Sequence, residues 1–344
     1  MIRSYEDVTP AVLKVMERTA DPRLREIMTS LVRHLHGFII ETRLTEAEFR
    51  TATKILAEMG HLTTDSHQEF VLMAGSLGVS SLVCLLNNGD GGRLETSQNL
   101  LGPFWRMHSP RVENGGPIVR SETRGEPLFV NATVVDREGR PIEGAEVDVW
   151  HASPVGFYES QDRTQASMNL RGKLTTDAEG LFSFRSVMMV GYPIPTDGVV
   201  GRLLQAQNRH PFRPAHLHAL IVKEGFKVLI SQVYNSADPH IQDDVQFGVT
   251  RATLADFVKH EEPHPTAVDV AGPWYSLDCT YVLARARPDD TSQAADQVSA
   301  KRVRTHRREL PLRADLCRPG RCLEGRCPAQ SCRPSDDRVG SRQS

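Results

Sequence analysis

The apolar positions of the first ninety residues fall at helical spacing. Leu24, Ile27, Met28, Leu31, Val32, Leu35, Phe38 and Ile39 recur at intervals of three and four, the mark of a helix with one apolar face. Thr45-Glu46-Ala47-Glu48 sets a hydroxyl three residues ahead of a glutamate, a capping box that starts the next helix. A further helix is expected from about Ser66 to Leu86, stopped by Asn87-Asn88-Gly89-Asp90-Gly91-Gly92. From about Pro127 the period changes. Phe129 to Val135 reads as a strand, Asp136 to Pro141 as a turn, and Ala145 to Trp150 alternates polar and apolar residues. Thr175 to Phe184 looks like a hairpin around Asp177-Ala178-Glu179-Gly180. Ala215 to Val222 and Val228 to Tyr234 supply further strands, and Tyr275 to Ala284 closes the sheet. Runs of short strands joined by turns imply a β-sandwich, so the fold class is α+β: a helical N-terminal region on a mixed sandwich.

Beyond Arg287 the character shifts again. Residues 288–344 contain no Phe, Trp, Tyr, Ile or Met, and carry 12 Lys or Arg against 8 Asp or Glu. Low hydrophobicity with Pro, Ser and Arg predicts a disordered tail. The expected division is 1–100 helical, 101–287 β-sandwich and 288–344 tail.

Composition narrows the function classes. A chain of 344 residues can bury a substantial core. Its net charge of −2 gives no overall electrostatic case for nucleic acid, and no apolar run of membrane-spanning length appears. The start, Met1-Ile2-Arg3-Ser4-Tyr5-Glu6-Asp7, does not read as a signal peptide, so a soluble cytoplasmic protein is expected. Of the six cysteines, Cys84 and Cys279 fall in apolar segments and read as buried thiols. Cys317, Cys322, Cys327 and Cys332 recur every five residues, a spacing wider than zinc knuckles use.

The candidate chemistry lies at His216-Leu217-His218. Successive side chains on a strand point to opposite faces, so these two imidazoles share one face and can hold one metal ion. The pair alone is more often a polar strand face in solvent, and a copper or zinc site built on these two histidines is a further reading. Two phenolates added to it give an N2O2 set that prefers a hard trivalent cation. Spacing does not select them from the six tyrosines, Tyr5, Tyr158, Tyr192, Tyr234, Tyr275 and Tyr281.

The words around the tyrosines make the selection. Leu101-Gly102-Pro103-Phe104, Asp148-Val149-Trp150-His151-Ala152, Gly156-Phe157-Tyr158 and Gly191-Tyr192-Pro193-Ile194-Pro195-Thr196-Asp197-Gly198 occur in order. Arg213-Pro214-Ala215-His216-Leu217-His218 and Ser231-Gln232 follow. Together they resemble the intradiol ring-cleaving dioxygenases over roughly residues 5 to 285, and the Gly191–Gly198 run is typical of the branch that takes hydroxyquinol.

The resemblance implies one Fe(III) per chain, held by Tyr158, Tyr192, His216 and His218. Tyr192 and His218 would be axial, Tyr158 and His216 equatorial, and Tyr192 the ligand that leaves. It also implies a homodimer joined through the N-terminal helices. The expected substrates are O2 and a small aromatic diol or triol: hydroxyquinol (benzene-1,2,4-triol) giving 3-hydroxy-cis,cis-muconate, or catechol or a chlorocatechol giving a muconate. Arg213 would stabilise anionic charge and Gln232 would offer a neutral hydrogen bond. Leu72, Gly75, Ile194 and Arg213 would face the substrate. Many hydroxyquinol enzymes carry an acidic residue where Gly75 stands, so this chain departs from the branch there. The reading from another class is a non-catalytic β-sandwich that binds or scaffolds.

Overall fold

The computed structural model describes residues 2–64, 68–88 and 95–286. The expected disorder of the tail, with its four cysteines, lies outside the described residues. The N-terminal part is helical: α1 (Val8–Met16), α2 (Pro22–Thr42), α3 (Glu46–Leu62), α4 (Glu69–Ser76) and α5 (Val79–Asn88). Asp21 caps α2 by accepting from Leu24 N, with Pro22 at the first helical position. The Thr45–Glu48 capping box starts α3 as expected.

The helix expected over 66–86 is two helices. α4 and α5 meet at 75° across Leu77 and Gly78. Gly78 takes φ +72°, a left-handed conformation that glycine adopts without a Cβ penalty, and it ends the first helix. No single helix among the described residues is long and apolar enough to cross a membrane.

The strands are β1 (Pro127–Asp136), β2 (Glu146–His151), β3 (Arg171–Thr175), β4 (Leu181–Val187), β5 (Tyr192–Pro193), β6 (Phe212–Arg213), β7 (His216–Val222), β8 (Leu229–Asn235), β9 (Leu254–Ala255), β10 (Val258–His260) and β11 (Trp274–Leu283). One helix, α6 (Val199–Ala206), interrupts them. They build two mixed sheets, in the orders β10-β11-β1-β4 and β3-β2-β7-β8-β9, and a two-stranded ribbon β5-β6. β1 runs parallel to β11 and β8 parallel to β9; the other pairs are antiparallel.

The expected hairpin over 175–184 is corrected. A tight turn is present, with Gly180 N donating to Asp177 O at 3.0 Å, but β3 joins β2 while β4 joins β1. The turn crosses between sheets because Leu174 on one side and Phe182 and Phe184 on the other face the same core. That core packs Leu128, Val130 and Val134 of β1 against Val147 and Val149 of β2 and Leu217, Ala219 and Ile221 of β7. Cys84 and Cys279 are free but only half-buried, less enclosed than their apolar neighbourhoods imply.

Candidate metal centre

Strand alternation places the site. Leu217 and Ala219 of β7 point into the core between the sheets, so His216 and His218 point out of the opposite face. That face is also buried, by Trp105, Trp150, Tyr158, Tyr192, Leu220 and Ile230. Register brings the rest. Trp150 of β2 is opposite His218, whereas Tyr234 and Gln232 of β8 are opposite His216 and His218. The ribbon pairs Tyr192 with Arg213.

The structure brings Tyr158, Tyr192, His216 and His218 together, all at most 5% exposed. The two phenol oxygens are 3.3 Å apart, and Tyr192 Oη is 3.5 Å from His216 Nε2. The two imidazole centroids are 4.8 Å apart. Metal–ligand bonds near 2 Å put two atoms on one ion at most about 4 Å apart, so the two phenol oxygens and His216 Nε2 suit one cation. His216 Nδ1 donates to Pro214 O at 2.7 Å, which leaves the Nε2 lone pair facing Tyr192. Among the described residues, the buried Nδ1 of His218 has no hydrogen-bond partner.

Aromatic stacking fixes the rings. Phe104 stacks on Tyr158 at 4.3 Å and Trp150 on His218 at 4.6 Å. The loop that carries Tyr158 is anchored by its neighbour Glu159. That carboxylate takes Arg171 at 2.7 Å in full burial and Arg106 at 2.7 Å.

Burial governs the protonation of these groups. It pushes the His216 imidazole down to about 3, aided by the Arg213 charge, and it holds His218 well below its ordinary range, aided by His216 and Arg213. Both histidines are therefore neutral donors. Burial also raises both phenols, Tyr158 further through Tyr192, whereas Arg213 and Tyr158 pull Tyr192 back down. Only a strong cation makes phenolates of them here. Two neutral imidazoles and two ionisable phenols form a hard, anionic donor set that fits a trivalent iron.

Arg213 is no surface residue. It is 8% exposed, paired with Asp244, and its Nη1 lies 3.4 Å from His216 Nε2. Its Nη2 donates to Gln232 Oε1 at 3.1 Å and to Tyr234 Oη. Gln232 is buried, and its amide is committed to Arg213 and to Leu100 O at 2.9 Å, so it holds the arginine. Leu72 and Ile194 share an apolar cluster with Val200, Leu204 and Val245. Glu69 ties α4 to this cluster by accepting from Val200 N at 2.8 Å. Gly75 is buried on the next turn, against the side chain of Gln246.

Asp244 and Tyr234 were invisible to sequence reasoning. Asp244 lies 31 residues from its partner, with no spacing signal. Tyr234 was one of six tyrosines, and only the β7–β8 register puts it over His216.

The chain is similar to known proteins over most of its length. Residues 102–273 match the family model described as dioxygenase, and residues 21–91 match that of the catechol dioxygenase N terminus. The chain is 38% identical over 286 residues to hydroxyquinol 1,2-dioxygenase of Nocardioides simplex, covering 82% of this chain and 96% of that one. The structure of hydroxyquinol 1,2-dioxygenase from Pseudomonas putida DLL-E4 superposes with a TM-score of 0.76 at 35% identity, covering 82% of this chain and 99% of its own. Catechol 1,2-dioxygenase from Pseudomonas arvilla C-1 superposes with a TM-score of 0.70 at 26% identity, covering 83% and 94%.

Proposed function

This chain belongs to the intradiol ring-cleaving dioxygenase family, and we propose that it opens the ring of hydroxyquinol with O2 to give 3-hydroxy-cis,cis-muconate, the enol form of maleylacetate. The observation that carries the reading is the meeting of Tyr158 Oη and Tyr192 Oη at 3.3 Å beside His216 Nε2 in a sealed site. The higher identity to hydroxyquinol enzymes than to the catechol enzyme supports the substrate.

Tyr158, Tyr192, His216 and His218 would hold one ferric ion. Such an ion would supply Lewis acidity towards a ring with two adjacent hydroxyls and would make it reactive towards O2. Both hydroxyls must lose a proton. Tyr192 would accept one of them: burial raises its phenol, and Arg213 and Tyr158 offset part of that cost to its anion. Arg213 offsets the negative charge that the deprotonated ring brings into the site. Asp244, Gln232 and Tyr234 fix the guanidinium, so no reorganisation is needed when that charge arrives. Trp150 and Phe104 keep water from the donor rings, and Leu72 and Ile194 form an apolar wall for the ring.

The same reading makes the protein a cytoplasmic homodimer. Leu24, Ile27, Leu31, Leu35 and Phe38 of α2 are each about half exposed, a stripe that a second copy would cover. Cys84 and Cys279 as free thiols suit a reducing compartment.

Oxygen uptake by the iron-loaded protein on benzene-1,2,4-triol, catechol and 3-chlorocatechol tests the assignment. The triol should give the highest kcat/KM. A preference for catechol, which Gly75 in place of an acidic residue favours, would move the enzyme to the other branch. Stoichiometric zinc or copper with no visible absorption would sink the iron site itself.

A further inference from the structure

A second group of metal-type donors lies outside the tyrosine–histidine centre. His210 stands between α6 and β6, and His240 and Asp243 lie in the loop that follows β8. Both rings share the Asp243 carboxylate, whose Oδ2 is 3.0 Å from His210 Nε2 and whose Oδ1 is 3.2 Å from His240 Nδ1. The two imidazole centroids are 4.5 Å apart. One donor atom from each of the three side chains lies within 4.8 Å of the other two.

The surroundings hold loop and ribbon in register. Asp238 accepts from His240 N and from Ala215 N, each at 2.9 Å, so the loop is tied to the residue that precedes β7. The Phe212 ring lies 7° from parallel to His240, with centroids 5.1 Å apart, and limits how that imidazole turns. His210 Nδ1 accepts from Phe212 N at 3.0 Å, which puts the ring proton on Nε2, towards Asp243. Ligation through Nε2 moves that proton to Nδ1 and hands Phe212 N to water, which reaches this exposed bond. The side chains are open enough to admit an ion: His210 is 31% exposed, His240 27% and Asp243 57%.

Metal bonds near 2 Å in tetrahedral geometry set neighbouring donors about 3.3 Å apart. The two N···O separations are already close to that. Two imidazoles and one carboxylate suit zinc and its neighbours, whereas magnesium and calcium take oxygen ligands. We infer that His210, His240 and Asp243 form a second metal site, for a borderline divalent cation of the zinc class, with solvent in the remaining position. The ion joins the segment that leads into Arg213 to the residue before Asp244, and so braces that buried pair from outside. The inference does not depend on which ring the enzyme opens.

Equilibrium dialysis of the iron-loaded full chain against zinc chloride, followed by metal analysis, tests it, with thermal melting alongside. Wild type should hold one more zinc per chain than His240→Phe, which keeps an aromatic ring against Phe212, and than Asp243→Asn. Zinc taken by cysteines is common to all three proteins, so the difference reads this site alone. Zinc should raise the melting temperature of wild type by a few degrees and that of the variants by less, while magnesium chloride at the same concentration should not. Equal zinc in wild type and both variants overturns the inference, and so does magnesium that stabilises as well as zinc. Zinc taken up only as iron is lost belongs to the tyrosine–histidine centre and overturns it too. If His240→Phe fails to fold, Asp243→Asn, a change at one exposed carboxylate, decides alone.

Discussion

Arg213 and Asp244 form a buried ion pair, with Nε 3.2 Å from Oδ1 and Nη2 3.3 Å from Oδ2. Burial opposes both charges, yet each holds the other ionised: Asp244 is kept below the usual carboxylate range and Arg213 well above its own ordinary value. The pair costs desolvation and returns a guanidinium that cannot swing away from the histidines. Its value is position more than stability.

Asp244→Asn should therefore affect both properties. Breaking a buried pair from one side costs about 3–5 kcal/mol, because the remaining charge stays buried. The iron-loaded variant should melt several degrees lower, and its kcat should fall about tenfold as Arg213 loses its aim. Thermal melting and steady-state oxygen uptake read the two effects. Wild-type values in both would show that Gln232 and Tyr234 suffice to hold the arginine.

The purified protein should be red to burgundy, from charge transfer between tyrosinate and ferric iron, with about one iron per chain. Tyr158→Phe, His216→Ala and His218→Ala should each lose most of the metal. Tyr192→Phe should keep part of it with a changed colour. Metal analysis and the visible spectrum decide; full iron and normal turnover in any of the first three variants removes that residue from the ligand set.

Acid should destabilise the fold through His151. Its ring is buried, donating from Nδ1 to Ala152 O and accepting at Nε2 from Ser186 Oγ, each at 2.7 Å. Burial lowers it from 6.5 to about 4. The unfolded chain takes a proton below pH 6.5 that the folded chain refuses until pH 4. This contribution is thus complete above pH 6.5, declines as pH falls, and is exhausted below pH 4. The difference reaches about 2 kcal/mol at pH 5. Urea midpoints at pH 7.5 and pH 5 should differ less in His151→Gln than in wild type; equal differences would exclude His151 as the source.

Leu31→Glu should give a monomer, since it sets a charge at the centre of the exposed α2 stripe. Light scattering at micromolar concentration checks it. A monomeric wild type would show that the stripe serves something other than a second copy.

Removal of residues 288–344 should leave iron content and turnover within about twofold of the full chain. The family matches end at residue 273, and β11 completes its sheet at Leu283. A loss of half the activity, or a melting point several degrees lower, would make this segment part of the working fold.

The periods that were legible belong to elements with one apolar face. β1 alternates because Leu128, Val130, Ala132 and Val134 face the core while its other side stays partly wet. α2 was legible because its apolar stripe is narrow. α6 was not: it begins Gly198-Val199-Val200-Gly201, weak helix formers with no side-chain cap, and is held by Glu69 from another helix. The turn at 177–180 has hairpin chemistry, and nothing local says that its two strands part into different sheets. The site divides in the same way. His216 and His218 are legible from strand alternation, and the tyrosines from the runs that contain them. Asp244 and Tyr234 depend on register and loop closure, which no short word encodes.

The parallel pairing of β1 with β11 has a consequence for how the chain is made. Leu128 meets Tyr275, and the ladder continues to Asp136 opposite Leu283, each residue joined to a neighbour 147 positions later. On a ribosome, β1 emerges long before that neighbour exists. It can zip to β4 on one side, but its other edge stays open until β11 has been made, with apolar residues beside unpaired amides. Such distant pairing is slow to nucleate and leaves a sticky template in the meantime. The vulnerable moment for this enzyme is therefore during translation. A holding chaperone, or a translation rate matched to the arrival of β11, would shield that edge in the meantime.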